Sequence, residues 1–215
     1  MKKTYKIAII DYQMSNMFSV RNALKLMGFE SKIVSKRSEI LDSDGVILPG
    51  VGSYSVAMKN IRELGLDESI KEFVDSGKPF AGICLGFQML FDSSTEIERT
   101  NGLGIFSGEV KKFNNTDKKI LVPHVGWNSI SKNLDFKKSS VYPKDPLSKI
   151  NSGDYFYFVH SYFVCPKDTS IIYSTTQYGE YEFCSSVQRD NIFACQFHPE
   201  KSGLKGLQML GNMFN

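Results

Sequence analysis

The residues best suited to chemistry gather around one cysteine. Cys84 sits in Gly82-Ile83-Cys84-Leu85-Gly86, after the apolar run Pro79 to Ile83 and before the helical run Phe87-Gln88-Met89-Leu90-Phe91. A nucleophile with glycines at minus two and plus two, between strand and helix, has the pattern of a nucleophile elbow with Cys in place of Ser. The glycines matter because such a strained turn brings neighbouring backbone against the nucleophile, where a Cβ would clash. The turn also sets the thiol at the N-terminus of the following helix, whose dipole favours the thiolate. The backbone N–H of Leu85 then faces the oxyanion formed when Cys84 attacks a carbonyl. The competing reading is a buried structural cysteine between two packing glycines.

A thiol nucleophile needs a base, and the chain has three histidines, His124, His160 and His198. His198 lies in Gln196-Phe197-His198-Pro199-Glu200, and Pro199 disfavours helical conformation at the residue before it. An extended chain here lets His198 and Glu200 point to one side, with Glu200 orienting the imidazole and stabilising its protonated form. The ordinary alternative is a turn histidine with local partners. His124 and His160 both fit structural roles, and His160, in an aromatic strand, is better suited to packing or to lining a surface than to catalysis. Cys165, Cys184 and Cys195 have no glycine elbow, and no cysteine pair shows CxxC or zinc-like spacing, so neither a metal nor a cofactor is expected.

Bringing residues 84, 198 and 200 together requires a scaffold in which distant strands end side by side. Apolar runs at Lys6–Asp11, Ser31–Ser35, Gly45–Leu48 and Pro79–Ile83 read as strands. Between them, Phe18–Met27, Ser55–Leu64 and Asp67–Ser76 carry apolar residues at helical spacing. This alternation predicts an α/β fold, a mostly parallel central sheet with helices on both faces. After Gly102 the character changes. Gly108–Phe113, Leu121–Ile130, Tyr155–Val164, Ser170–Gln177 and Ile192–Phe197 read as aromatic-rich strands, adding β structure to the same sheet or beside it. Gly203–Phe214 returns to helical spacing. With no linker in view, residues 1–215 read as one domain.

Composition excludes several classes. With 215 residues, 41% of them hydrophobic, the chain has enough apolar material for a core and is not disordered. The net charge of +3 comes without a long basic block, which argues against nucleic acid as the main partner. Three basic pairs, Lys111–Lys112, Lys118–Lys119 and Lys137–Lys138, read as solvated loops or as a patch for a phosphorylated ligand. The apolar stretch after the basic start is too short for a signal peptide, and none elsewhere reaches the ~18 residues of a membrane span. A cytoplasmic protein with reduced thiols is expected.

Five segments taken together resemble one family, the class I (triad-type) glutamine amidotransferases. They are Pro49-Gly50-Val51-Gly52-Ser53, the Cys84 elbow through Gln88, Pro123-His124-Val125-Gly126-Trp127-Asn128, Phe158-Val159-His160-Ser161-Tyr162 and Gln196 to Ser202. The third and fourth are similar to the glutaminase subunits of imidazole glycerol phosphate synthases. The resemblance implies that Cys84 attacks the side-chain amide of L-glutamine, that His198 protonates the departing ammonia, and that the glutamyl thioester is hydrolysed. It implies an oxyanion hole of Leu85 with Val51 or Gly52, and substrate binding by Gly50, Gly52, Gln88, Glu96, Ser161 and Tyr162. It also implies a heterodimer, with Trp127, His160 and Lys201 facing a cyclase/synthase partner that receives the ammonia. A sugar amidotransferase of surface-polysaccharide synthesis is the alternative partner. A free-standing cysteine hydrolase and a catalytically idle interaction subunit are the rival readings. The chain departs from the family's usual glycines at Gln13 and Ser15, and has Gly203 where glutamine is usual.

Overall fold

The computed structural model describes residues 5–14, 16–114, 120–136 and 145–214. Lys118–Lys119, Lys137–Lys138 and Ser15 lie outside the described residues. The first half alternates strand and helix: β1 (Lys6–Ile10), α1 (Met17–Leu26), β2 (Glu30–Val34), α2 (Arg37–Leu41), β3 (Gly45–Leu48), α3 (Tyr54–Glu63), α4 (Leu66–Asp75) and β4 (Phe80–Ile83). A one-turn helix α5 (Leu85–Gln88) follows, then β5 (Phe91–Ser94), β6 (Thr100–Asn101), β7 (Phe106–Lys112), β8 (His124–Ser129) and β9 (Ser131–Lys132). The remainder is β10 (Tyr155–His160), β11 (Tyr162–Pro166), β12 (Ile172–Tyr178), β13 (Tyr181–Arg189), β14 (Ile192–Cys195) and α6 (Gly203–Phe214).

An eight-stranded sheet runs in the order β2-β1-β3-β4-β14-β13-β12-β9. It is parallel from β2 to β14, and antiparallel beyond. Every residue of β3, β4 and β14 is buried, as expected of parallel strands covered on both faces. Alternate residues feed two cores. Ala8, Ile10, Val46 and Leu48 pack with Ala57, Met58, Ile61, Ile70 and Phe73 of α3 and α4, whereas Ile7, Ile9 and Ile47 pack with Val20, Leu24, Met209, Leu210 and Met213 of α1 and α6. Burying one such side chain contributes about 1.5–3 kcal/mol, so the two helical layers hold the sheet from both sides.

The second half both extends this sheet, through β14, β13, β12 and β9, and builds beside it. A four-stranded sheet runs β11-β7-β5-β6, and β8 pairs antiparallel with β10. Tyr155–Val164, expected as one strand, is two: the chain leaves β10 after His160, turns at Ser161 and joins β7 as β11. The helical run expected at Phe87–Phe91 is shorter. Helix α5 stops at Gln88, and Phe91 already belongs to β5.

Candidate active site

The parallel strands end at one edge, and the crevice beyond the carboxyl ends of such strands is where open α/β sheets place their ligands. Tyr12 follows β1, Gly50 follows β3, Cys84 follows β4 and His198 follows β14. Cys84 sits on the turn between β4 and α5 at φ 54°, ψ −108°, a conformation that side chains rarely adopt. Its N–H donates to the Cys195 carbonyl at 2.8 Å, which ties the turn to β14. A Cβ on Gly86 would lie 1.8 Å from the Leu48 carbonyl oxygen, so only glycine lets the turn close against β3. Because α5 is a single turn, its dipole is a small part of what a full helix would offer the thiol.

Behind the cysteine, His198 Nδ1 lies 2.8 Å from Glu200 Oε1, and the two side chains are 2% and 1% exposed. A carboxylate accepts, so Nδ1 carries the proton and Nε2 is left for Cys84. Nε2 makes no hydrogen bond of ordinary geometry, yet the sulfur is near enough to act on the ring. Burial works against the imidazolium, but the Cys84 charge and then Glu200 outweigh it and push His198 up to about 10. Ser202 fixes the backbone here: its hydroxyl donates to the His198 carbonyl at 2.6 Å and accepts from the Tyr157 N–H at 3.0 Å.

The expected oxyanion donors are not assembled. The Leu85 N–H donates to the Gly50 carbonyl at 3.4 Å. A trans peptide points its C=O and N–H in opposite directions, so the unit joining Gly50 to Val51 offers this site a carbonyl, and the Val51 N–H faces away. Gly50 is wedged against Leu85 and Tyr12, where a Cβ would come within 2.2 Å of the Tyr12 hydroxyl.

A cavity of about 280 Å³ opens over the cysteine, at the small end of the ~300–1,000 Å³ typical of small-molecule sites. Its wall includes Val51, Gly52, Cys84, Leu85, Gln88, Glu96, Pro123, Val159, His160, Ser161 and Tyr162. Of the expected substrate-binding residues, only Gly50 is missing from that wall. Glu96 also caps α3, its Oε2 accepting from the Tyr54 N–H at 2.5 Å and from the Ser53 hydroxyl at 3.4 Å. Tyr162 reaches over it, donating its hydroxyl to the Glu96 carbonyl at 3.1 Å.

The three residues expected to face a partner divide. Trp127 is 55% exposed on β8. Its ring lies 6.2 Å from that of Tyr157, and the Lys201 ammonium sits 5.9 Å from the same tyrosine ring, so Trp127 and Lys201 share one patch. His160 does not join them. It is 6% exposed, ringed by Phe113, Phe158 and Phe183, and burial pushes it down to about 3. The alternation of β10 turns it inward, opposite His124 on β8.

Gln196 escaped the sequence reading. It is fully buried, and its Nε2 lies 3.6 Å from Cys84 Sγ. The available signal was its place two residues before His198 in an extended chain, which sends both side chains to one side.

The fold and the cysteine crevice define a class, and residues 8–215 match the family model "Glutamine amidotransferase class-I". The chain belongs to the class I glutamine amidotransferase family. Relatives named "Imidazole glycerol phosphate synthase subunit HisH" include one from Caldanaerobacter subterraneus subsp. tengcongensis, 46% identical over 206 residues and 96% of each chain. Another, from Aquifex aeolicus, is 45% identical over 208 residues, 96% of this chain and 95% of the relative. Among solved structures, PurLQS from Thermotoga maritima superimposes with a TM-score of 0.70 at 21% identity, covering 98% of this chain and 97% of that one.

Proposed function

We propose that the chain is the glutaminase subunit of an imidazole glycerol phosphate synthase. It hydrolyses L-glutamine to glutamate and ammonia and delivers the ammonia to a cyclase/synthase subunit in histidine biosynthesis. The observation that carries this reading is the buried Cys84, His198 and Glu200 cluster at the end of the parallel strands, in a chain whose relatives over nearly its full length bear that subunit's name. Those names favour histidine biosynthesis over the polysaccharide alternative.

In the proposed reaction the Cys84 sulfur adds to the glutamine side-chain carbonyl. His198, charged and held by Glu200, gives its Nε2 proton to the nitrogen as the C–N bond breaks. Ammonia leaves and a glutamyl thioester remains. Neutral His198 then takes a proton from water, the hydroxide adds to the thioester, and the C–S bond breaks to release glutamate and the thiolate. Both tetrahedral stages put negative charge on oxygen. Turning the peptide between Gly50 and Val51 frees the Leu85 N–H and swings the Val51 N–H inward, supplying two donors. Gln88, Glu96, Gly52, Ser161 and Tyr162 line the space for the amino-acid end of glutamine. Trp127 and Lys201 mark the surface for the synthase subunit, an aromatic and a cation of the kinds that anchor interfaces. Among the described residues no helix is long and apolar enough to cross a membrane.

The test is Cys84→Ala in the reconstituted complex. Glutamine-dependent synthesis should disappear while synthesis from added ammonium salt continues at the wild-type rate. Loss of both in a folded complex overturns the division of labour between two subunits.

A further inference from the structure

Besides His198, a side chain from the same strand end meets the nucleophile. Gln196 Nε2 lies 3.6 Å from Cys84 Sγ, its Oε1 accepts from Gln88 Nε2 at 3.0 Å, and its backbone N–H donates to the Ser185 carbonyl at 2.9 Å. Gln88 Nε2 also donates to the Tyr162 carbonyl at 2.8 Å. These contacts decide which way each amide points. A backbone carbonyl can only accept, so the Gln88 NH₂ must face Tyr162, and its other hydrogen then meets Gln196. Gln196 must answer with its oxygen, which leaves its own NH₂ toward the sulfur. The reverse orientation would set an oxygen against sulfur lone pairs.

We propose that Gln196 is a positioning residue for the nucleophile: its carboxamide N–H holds the Cys84 sulfur as a thiolate, and Gln88 locks that carboxamide in the donating orientation. The proposal rests on the reading of Cys84 as the nucleophile. The titratable groups facing the sulfur are His198, with Glu200 behind it, Tyr12 and Cys195. The Tyr12 hydroxyl donates to the Pro49 carbonyl and the Cys195 thiol to the Phe197 carbonyl, so neither serves the sulfur. Among the described residues Gln196 is the neutral side chain that does. Donation to a charged group strengthens its hydrogen bond, and donation from Gln88 into the Gln196 oxygen polarises the amide further.

The experiment follows alkylation of Cys84 in the full-length chain by iodoacetamide across pH, with the modified residue assigned by peptide mass. Gln196→Met keeps the volume and removes the donor. Alkylation at pH 7 should slow about tenfold while the limiting rate at high pH is kept. Gln196→Glu, which sets a carboxylate against the thiolate, should shift the profile further. A folded Gln196→Met with the wild-type profile overturns the proposal. A measurement that needs no variant is the side-chain amide resonance of Gln196 in the wild-type protein. It should move with the same midpoint as alkylation, and a resonance that stays fixed through that titration also overturns the proposal. Failure of the underlying reading looks different: wild-type Cys84 would alkylate no faster than Cys165 at neutral pH.

Discussion

His198 and His160 are both buried at the same end of the molecule, and their surroundings drive them in opposite directions. His198 meets the charged Cys84 sulfur on one side and the Glu200 carboxylate on the other, and the two push it up to about 10. His160 meets no anion: its hydrogen-bond partners are neutral, and the charged His198 adds to burial in holding it down. Its Nδ1 lies 2.9 Å from the Tyr162 carbonyl, its Nε2 lies 3.1 Å from His124 Nδ1, and phenylalanine rings fill the remainder. The Tyr162 carbonyl fixes the proton on His160 Nδ1, so His160 Nε2 accepts from His124, and His124 Nε2 in turn accepts from the Asn128 amide at 3.3 Å. That chain is complete with both rings neutral. Burial acts against charge in both places. What separates them is whether an anion stands beside the ring, so a buried histidine is a candidate acid only where such a partner is present.

The sharpest way to break this contrast is to remove Glu200, the one of the two anions beside His198 that is not the nucleophile. Glu200→Gln keeps the shape and leaves His198 with a neutral neighbour on that side, nearer to the condition of His160. Glutamine-dependent turnover of the complex should fall on the order of 10²–10⁴-fold, as when the orienting carboxylate of a hydrolytic triad becomes an amide. Ammonia-dependent synthesis should be unaffected. A glutaminase rate within a few-fold of wild type would show that Glu200 does not set the charge of His198, and the contrast would collapse.

A smaller effect concerns stability. In the unfolded chain His160 and His124 titrate near 6.5, and in the folded protein burial holds them down at about 3 and about 4. Between those values the unfolded chain binds more protons than the native one, so the two rings lower native stability as pH falls from about 6.5 toward 4. Above about 6.5 their penalty is absent. Urea midpoints measured from about pH 6 down to 4.5, below the range in which the raised His198 changes its contribution, should decline, and His160→Phe should flatten the decline. A flat wild-type profile would mean that the rings protonate inside the fold.

How much of this could be read from the sequence depended on whether chemistry or packing carried the signal. The elbow glycines, the His198-Pro199-Glu200 run and the apolar strands β1, β3 and β4 are local patterns, and the structure brings those residues together. Strand β13 was missed because Cys184, Ser185 and Ser186 interrupt its apolar character. In the fold, the Ser174 hydroxyl lies 2.9 Å from that of Ser185 and 2.6 Å from that of Ser186, so these polar groups are buried without penalty. The sequence left His160 between packing and lining a surface for a related reason. Its strand is aromatic on both sides, and only pairing with β8 decides which side meets the core. Gln13 shows the opposite case. The resemblance leads to an expectation of glycine there, and Gln13 has a φ of 69°, where a side chain costs about 1–2 kcal/mol.

The smallest expected change, and the one that most sharpens the contrast, is His160→Gln. Glutamine is flexible enough for its amide nitrogen to reach the Tyr162 carbonyl, yet the His124 Nδ1–H must find its acceptor in the same short side chain. A buried donor left without a good partner costs about 1–3 kcal/mol, so the urea midpoint at pH 7.5 should drop by that equivalent. The chemistry should suffer much less. His160 lines the cavity but, held neutral, has no proton to give at neutral pH, and its loss should lower glutamine-dependent turnover by less than about tenfold, mostly through KM. A loss in kcat comparable to that of Glu200→Gln would mean that the neutral pair takes part in proton transfer, and the two histidine environments would then be one connected system rather than two.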